Sequence, residues 1–238
     1  MTGASHVSAG KDCEDFVMSS LSEDAAILAL ADGAGSASLA KEGAKTAVKA
    51  CIRVLKKLGA DLFSLPEETI KSCLIRYVGS DLKKIAKRKK VDVRELSSTL
   101  LFLVTDGREY LCGHIGDGII GGIVGEEGLV LSMPERGEFA NNTFFTTSPE
   151  KRRHLRIHRG SVGEAECFFL MSDGSADCLF ITRTSEFAPA VDKFSQRLRN
   201  ISPEEVPSLE GRLIDFMENH FRSLTHDDCS IIMLRWNK

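Results

Sequence analysis

Four acidic sites in this chain of 238 residues adjoin short apolar runs, where a buried strand would begin or end. Two follow an apolar run and two precede one: Asp32-Gly33 and Asp173-Gly174, then Glu14-Asp15 and Asp227-Asp228. If the strands before the first two are antiparallel to the strands after the other two, all four sites meet at one end of the sheets. The sequence therefore predicts an acidic cluster assembled from distant positions.

Clustered carboxylates repel one another, so such a cluster requires a positive counter-charge. Carboxylate oxygens suit Mg²⁺ or Mn²⁺ rather than zinc or copper. Two such ions about 4 Å apart lower the pKa of a shared water and hold the attacking and leaving oxygens of a phosphoryl group. The cluster therefore predicts direct hydrolysis without a covalent intermediate. Because a single Asp-Gly after a strand is most often only a turn, the prediction depends on the four sites together.

Other reactive side chains favour structural roles. Ser98 and Thr99 lack the Gly-x-Ser-x-Gly surroundings of a nucleophile, so packing at a strand start is favoured. A thiolate at Cys13 is disfavoured by the neighbouring carboxylate of Glu14.

Histidines also occur outside the acidic sites. His154 and His158 belong to a basic stretch, residues 151–159, whose alternation favours a solvated strand or loop. A patch that binds phosphate or nucleic acid is the alternative for this stretch. His114 lies in a predicted strand and is interpreted as structural.

The composition is that of an ordinary globular protein, with 42% hydrophobic and 27% charged residues. The net charge of −3 gives no reason to expect nucleic acid or a membrane as partner. The seven cysteines form no C-x-x-C pair, which favours reduced thiols in the cytosol. The longest purely apolar run, residues 25–31, is too short to cross a bilayer. We expect a single domain over residues 1–238 that is cytoplasmic and monomeric.

Short runs of Ile, Leu, Val and Phe predict strands, and several are apolar on both faces, as in sheets covered on both sides. The predicted strands are residues 16–19, 25–31, 99–104, 110–115, 119–124, 167–172 and 229–236. Apolar residues three and four apart predict helices over residues 44–58, 66–85, 186–198 and 207–221. The predicted fold class is α+β, an antiparallel β-sandwich flanked on both sides by helix pairs (α-β-β-α).

Short blocks from end to end of the chain resemble the metal-dependent protein phosphatases of type 2C, in particular a compact bacterial branch. The blocks are Gly3-Ala-Ser-His6, Gly10-Lys-Asp-Cys-Glu-Asp15, Ala31-Asp-Gly-Ala-Gly-Ser36, Ser97-Ser-Thr99, Gly116-Asp-Gly118, Met171-Ser-Asp-Gly174 and Asp227-Asp-Cys-Ser230. Their order and their placement against the predicted strands make the resemblance specific. It implies two antiparallel sheets between helix pairs. It also implies Mg²⁺- or Mn²⁺-dependent hydrolysis of phosphoserine or phosphothreonine in a phosphorylated protein.

The resemblance implies two metal ions and a possible third. Asp32 would bridge the pair, and Asp173 and Asp227 would complete the catalytic centre by holding one ion. The other ion would be bound by the Glu14 side chain and the Gly33 carbonyl.

Three further aspartates have implied positions in this centre. Asp15 would bind metal directly or orient a metal-bound water, and Asp117 would help to hold the third ion. Asp228 stands where the family usually has asparagine, so Asp227 is the predicted ligand and Asp228 the alternative.

The chain departs from the family at two positions. Gly10 stands where an arginine usually grips the substrate phosphate, and Lys11 or His6 could bind phosphate in its place. Ala34 stands where some members carry a histidine proposed as general acid. The missing arginine leaves open a catalytically weak phosphoprotein-binding module of the same fold. The basic stretch at residues 151–159 leaves open a metal-dependent hydrolase of small phosphoesters or nucleic acid.

Overall fold

The computed structural model describes residues 1–135, 143–199 and 201–235. Its strands are β1 (Phe16–Leu21), β2 (Ala26–Ala31), β3 (Leu100–Thr105), β4 (Glu109–Ile115), β5 (Ile119–Val124), β6 (Glu127–Ser132), β7 (Arg156–Ser161), β8 (Ala165–Met171), β9 (Phe180–Ile181), β10 (Glu186–Phe187) and β11 (Ile231–Arg235). Its helices are α1 (Ala4–Ser8), α2 (Ala40–Leu58), α3 (Glu67–Lys89), α4 (Lys151–His154), α5 (Asp173–Leu179), α6 (Pro189–Arg199) and α7 (Val206–His220). None of the helices in these described ranges is long and apolar enough to cross a membrane.

The strands form two antiparallel sheets that pack face to face. One sheet has the order β1-β2-β3-β4-β7 and the other the order β11-β8-β5-β6. Buried side chains such as Leu28, Leu101 and Phe168 form the layer between the sheets. Helices α2 and α3 cover the outer face of the first sheet. Helices α6 and α7 cover the second sheet, so the predicted α-β-β-α sandwich is confirmed.

The helix pair on the first sheet forms where apolar side chains recur at helical spacing. In α2, Ala44, Val48, Cys51 and Leu55 lie on one stripe and are almost completely buried. Gly59 ends this helix in a backbone conformation with φ of 54° that favours glycine. In α3 the stripe continues to Ala86, and the last turn is basic, which suits the negative end of the helix dipole.

The structure corrects several sequence-based boundaries. The helix predicted from residue 186 begins at Pro189, because Glu186 and Phe187 pair with β9 as strand β10. The final strand begins at Ile231 rather than at residue 229. Trp236, the predicted end of that strand, lies outside the described residues. Helices α1, α4 and α5 and strands β6, β9 and β10 are additions to the prediction.

Candidate metal centre

Strand register brings the four acidic sites together in two pairs. In the first sheet Phe16 pairs with Ala31, so Glu14 and Asp15 enter the sheet beside the residue that follows Ala31, Asp32. The second sheet repeats this arrangement, because the partner of Met171 is Ile231. Asp173 therefore leaves β8 where residues 227 and 228 approach β11. The antiparallel pairing predicted from sequence is confirmed.

A third strand pair adds Asp117 to this end of the sandwich. Ile119 of β5 pairs with Met171 of β8, which places the turn before β5 beside Asp173. Gly116 in that turn has a φ of 123°, and a Cβ atom there would lie 2.6 Å from the Thr99 side chain. Only glycine meets both conditions, so the sequence Gly-Asp-Gly fixes where the Asp117 carboxylate lies.

Three carboxylates converge at the centre of this arrangement. One oxygen from each of Asp32, Asp117 and Asp173 lies within 4.8 Å of the others. All three side chains are half-buried. Asp117 also accepts a hydrogen bond from the Thr143 hydroxyl. Three like charges at this distance repel one another, so the cluster is repulsive without a cation.

Burial and mutual repulsion raise the pKa values of the central carboxyls. Burial raises the pKa of Asp173 to about 7, with further contributions from the charges of Asp117 and Asp227. The pKa of Asp15 rises to about 6, first because the group is buried. The pKa of Asp32 rises well above its usual range through burial and the charges of Asp15 and Asp173. These carboxyls hold protons at pH values where exposed aspartates are charged.

The Asp15 side chain is buried and incompletely hydrogen-bonded. Only 8% of the residue is exposed. Neither carboxylate oxygen has a hydrogen-bond partner of normal geometry among the described residues, although the Ser172 and Ser230 hydroxyls lie nearby. Burying a carboxylate without hydrogen-bond partners costs free energy, and the carboxylates of Asp32 and Asp228 lie close to it. An all-oxygen donor set with excess negative charge fits a hard divalent cation such as Mg²⁺ or Mn²⁺.

Backbone contacts fix the turn that carries Asp32. The Asp32 N–H donates to the Thr99 hydroxyl at 2.9 Å, and its carbonyl accepts from the Thr99 N–H at 2.9 Å. A Cβ atom on Gly33 would lie 2.9 Å from the Glu14 carbonyl oxygen. Glycine therefore allows the turn to approach the Glu14 backbone closely. The structural role predicted for Ser98 and Thr99 consists of holding this turn, with Ser98 bridged to Gly33.

Asp227 and Asp228 have different surroundings. Asp228 is 2% exposed and accepts the Gly3 N–H at 2.7 Å and the Glu14 N–H at 2.6 Å. It also bonds His6 Nδ1 at 2.9 Å. The Asp228 carboxylate therefore holds the N-terminal segment, including Glu14, against the residues that lead into β11. The exposed Asp227 lies close enough to Asp173 for its charge to raise the pKa of that carboxyl. Its role as metal ligand stays a prediction.

The two side chains suggested for phosphate binding lie close to Glu14 in the structure. Lys11 Nζ lies 3.4 Å from Glu14 Oε1, and His6 Nε2 lies 3.6 Å from Glu14 Oε2. Gly10 has a φ of 65°, a conformation in which an arginine would be strained. The absence of arginine at this position therefore has a local backbone reason. Phosphate binding by Lys11 or His6 stays a prediction.

The remaining histidines are structural or exposed. His114 is fully buried between the Ser132 hydroxyl and the Arg156 guanidinium, and burial holds its pKa well below the usual range. His154 corrects the prediction of a solvated stretch, because it ends helix α4, is buried and stacks on Phe144. His158 is exposed in strand β7, which agrees with the predicted solvated strand.

Burial also settles the state of Cys13. Burial and the charges of Asp15 and Asp228 raise the pKa of this thiol to about 12. A thiolate is therefore disfavoured, as expected.

Sequence reasoning missed several residues that support the site. Thr143 on Asp117 and the Asp228 anchor emerge only from the structure. Ser172 and Ser230 were visible only as members of the blocks Met171-Ser-Asp-Gly174 and Asp227-Asp-Cys-Ser230. The signal for Asp228 was its place beside Asp227, which does not by itself distinguish a ligand from an anchor.

A two-sheet sandwich between helix pairs, with carboxylates gathered at one end of both sheets, defines the architecture of a phosphatase class. The family model "Protein phosphatase 2C" matches residues 2–218. The chain therefore belongs to the protein phosphatase 2C family, whose members are serine/threonine phosphatases and thus hydrolases.

Similar proteins cover nearly the whole chain. Serine/threonine-protein phosphatase 3 of Escherichia coli (strain K12) is 28% identical over 98% of this chain and 95% of its own length. The fold resembles Stp1 from Staphylococcus aureus with a TM-score of 0.66 at 12% identity, over 100% of this chain and 93% of that one. The catalytic domain of PstP, in complex with two manganese ions, gives a TM-score of 0.63 at 18% identity, over 93% and 90%.

Proposed function

We propose that this protein is a Mg²⁺- or Mn²⁺-dependent phosphatase that hydrolyses phosphoserine or phosphothreonine in proteins. The observation that carries this proposal is the convergence of Asp32, Asp117 and Asp173 within 4.8 Å at the end of both sheets. A bound pair of ions would supply an activated water and neutralise charge on the phosphoryl group. A phosphorylated protein is accordingly the proposed partner, and we expect a cytoplasmic monomer.

The proposed roles of the residues follow from their positions. Asp32 lies between the two acidic pairs and is suited to bridge two ions. Asp173 and Asp227, whose charge acts on Asp173, would hold one ion. Glu14 and the Gly33 carbonyl would hold the other. Asp117 has a carboxylate oxygen within 4.8 Å of one of Asp173 and would help it to hold a third ion. Asp15, buried next to Asp32, would bind metal directly or orient a metal-bound water by accepting a hydrogen bond from it.

Asp32→Asn tests the bridging role. The change removes the central charge while keeping the size of the side chain, so we expect turnover of an aryl phosphate with Mn²⁺ to fall by more than about 100-fold. Isothermal titration calorimetry should show weakened Mn²⁺ binding. The circular dichroism spectrum should not change.

Asp24→Asn is the matched control. Asp24 is exposed at the far end of the same β1–β2 hairpin, so its replacement removes an equal charge away from the site. We expect this variant to hydrolyse the aryl phosphate at the wild-type rate. Near-normal turnover by Asp32→Asn would contradict the assignment of Asp32.

One observation favours a second candidate, a catalytically weak phosphoprotein-binding module. Gly10 replaces the arginine expected to grip phosphate, and its backbone conformation disfavours any larger residue. Folded wild-type protein that binds Mn²⁺ and phosphopeptide but hydrolyses neither phosphopeptide nor aryl phosphate would establish this candidate. Turnover of phosphopeptides in preference to nucleotides would exclude a small-molecule phosphoesterase.

A further inference from the structure

A groove with a basic lining lies between helix α3 and the segment that follows Thr143. It has a volume of about 420 Å³. Its lining includes three cations, a glycine and two hydroxyls: Arg76, Lys83, Lys151, Gly79, Thr146 and Thr147. The protein as a whole carries a net charge of −3, so this concentration of positive charge is local. Such a surface favours an anion.

The groove cations lack the acidic partners that neighbouring cations have. On the same helix pair, Lys71 pairs with Glu67 and Lys84 with Asp81. Within residues 1–135, 143–199 and 201–235, by contrast, Arg76, Lys83 and Lys151 form no ion pair. Burial and the charge of Lys83 lower the pKa of Lys151, which shows that the two ammonium groups repel each other. An anion between them would relieve this repulsion.

Gly79 lines the groove and has no side chain to fill it. It lies in the interior of α3, where glycine costs about 1 kcal/mol relative to alanine. Its φ is not positive, and a Cβ atom there would meet no atom within 4 Å. Neither backbone conformation nor packing therefore requires glycine at this position. The empty space above Gly79, bounded by Lys83 and Lys151, could accommodate a ligand.

The groove is connected to the acidic centre by a short segment. Thr143 donates to Asp117, and Thr146 bonds the Ser98 carbonyl at 2.8 Å through its N–H. Ser98 directly precedes Thr99, which holds the Asp32 turn. The four residue steps from Thr143 to Thr147 span at most about 14 Å. An extended peptide with its phosphorylated residue at the acidic centre would reach the groove within three to five residues.

We propose that this groove binds a second anionic group, a carboxylate or a phosphate, on the same phosphoprotein segment that is hydrolysed at the acidic centre. The inference rests on the proposed phosphatase function, since it assigns the substrate class of that site. Arg76, Lys83 and Lys151 provide the charge that attracts the anion. The groove thus selects acidic or multiply phosphorylated segments over neutral ones.

The test compares phosphothreonine peptides of equal length. The first peptide has glutamine at positions three to five on both sides of the phosphothreonine. The second has glutamate at these positions, and the third has phosphoserine there. Wild-type protein should hydrolyse the anionic peptides with a kcat/KM roughly fivefold above that of the neutral peptide, as two exposed charge pairs would give. The difference should shrink as salt rises. A larger effect with phosphoserine identifies a second phosphate as the preferred group.

Three variants separate the groove from general charge effects. Lys83→Gln combined with Lys151→Gln should remove the preference for anionic peptides. Gly79→Leu should also remove it, by filling the groove without changing any charge. Lys49→Gln, an exposed position on α2 outside the groove, should keep it. Hydrolysis of aryl phosphate should be the same in all of them, because none of these residues belongs to the acidic centre.

The outcomes distinguish failure of this inference from failure of the proposed function. Active wild-type protein without a preference, or a double variant that keeps it, would overturn the groove assignment alone. If wild-type protein hydrolyses nothing with Mn²⁺, the proposed function fails. Fluorescence anisotropy of a labelled anionic peptide then still tests the groove. Binding lost in the double variant supports the inference, and binding that is absent in wild type or unchanged in the variant contradicts it.

Discussion

Two adjacent aspartates, Asp227 and Asp228, show how neighbouring residues of one type acquire separate tasks. The Asp228 carboxylate is buried and joins three groups from the N-terminal segment: the Gly3 N–H, the Glu14 N–H and the His6 ring. The exposed Asp227 carboxylate raises the pKa of Asp173 by its charge. Asp228 therefore stabilises the fold around Glu14, whereas Asp227 is available to a cation.

Replacing each aspartate by alanine should separate stability from metal affinity. Asp228→Ala leaves two buried N–H groups unpaired, so we expect the free energy of unfolding of the metal-free protein to fall by about 1–3 kcal/mol. Asp227→Ala should change this quantity little, because loss of the hydrogen bond from the Asp228 N–H is offset by removal of a charge from a repulsive cluster. Its effect should be weaker Mn²⁺ binding. Urea unfolding with EDTA and calorimetric titration of Mn²⁺ measure the two quantities.

A reversed pattern would contradict this division of roles. If Asp227→Ala destabilised the metal-free protein and Asp228→Ala weakened only metal binding, Asp228 would be the ligand. Asp228→Asn is an informative intermediate. Its amide keeps one acceptor oxygen but faces a backbone N–H with its own NH₂ group, so we expect a smaller loss of stability than in Asp228→Ala.

At the residue scale the sequence predicted the members of the cluster better than their surroundings. Asp32 and Asp173 were recognisable because each follows an apolar run and precedes glycine. The contact of Thr143 with Asp117 was not predictable, since the two residues are far apart in the chain and join through loops rather than paired strands. Hydrogen bonds of this kind depend on loop paths that leave no periodic pattern in the sequence.

At the scale of secondary-structure elements, two helix glycines have opposite surroundings. Gly43 in α2 lies against the backbone of Leu96, where an added Cβ atom would be 2.2 Å from the carbonyl oxygen. Leu96 directly precedes the Ser97–Ser98 segment that bonds the Asp32 turn. Gly79 in α3 has open space above it. The first glycine permits close packing near the acidic centre, whereas the second leaves the groove open.

Alanine at these two positions should therefore shift stability in opposite directions. Gly79→Ala removes the glycine cost in a helix, so we expect a gain of up to about 1 kcal/mol, or a melting temperature higher by about 2–4 °C. Gly43→Ala should lower the melting temperature despite the same gain in helix propensity, because α2 must move away from the turn before Ser97. Thermal unfolding followed by circular dichroism measures both. Equal shifts of the same sign would contradict the close contact at Leu96.

Elements with strong apolar periodicity were predictable, and short or half-exposed elements were not. Strands β2, β3 and β8 are continuous apolar runs, and α2 and α3 have long apolar stripes. By contrast, β6 is exposed over its first half, and β9 and β10 have two residues each. Helix α5 begins at Asp173 itself and has seven residues, too few for a stripe to be recognised. Tertiary contacts rather than local pattern determine such elements.

At the scale of the whole molecule, repulsion within the acidic centre lowers the stability of the fold. The apolar side chains buried between the sheets and beneath the two helix pairs must offset it. The carboxyls of Asp15 and Asp173 have pKa values of about 6 and about 7 in the folded protein, against about 3.9 in an unfolded chain. The folded state therefore binds more protons between these values. The contribution of these two groups to the stability of the fold is fully present below about pH 4. It is lost as the pH rises through 6 to 7.

The metal-free protein should accordingly become less stable between pH 5 and pH 8, and added Mg²⁺ should reverse this loss. A cation binds the charged carboxylates, so the rise in melting temperature on adding Mg²⁺ should be larger at pH 8 than at pH 5. Asp173→Asn should flatten the pH dependence in EDTA, because one titrating group is gone. It should also reduce the gain from Mg²⁺. Differential scanning calorimetry across this pH range measures these shifts. The prediction is contradicted if the melting temperature of the metal-free wild-type protein rises toward pH 8 and the slope is the same in Asp173→Asn. The carboxyls would then not repel one another in the way that the structure indicates.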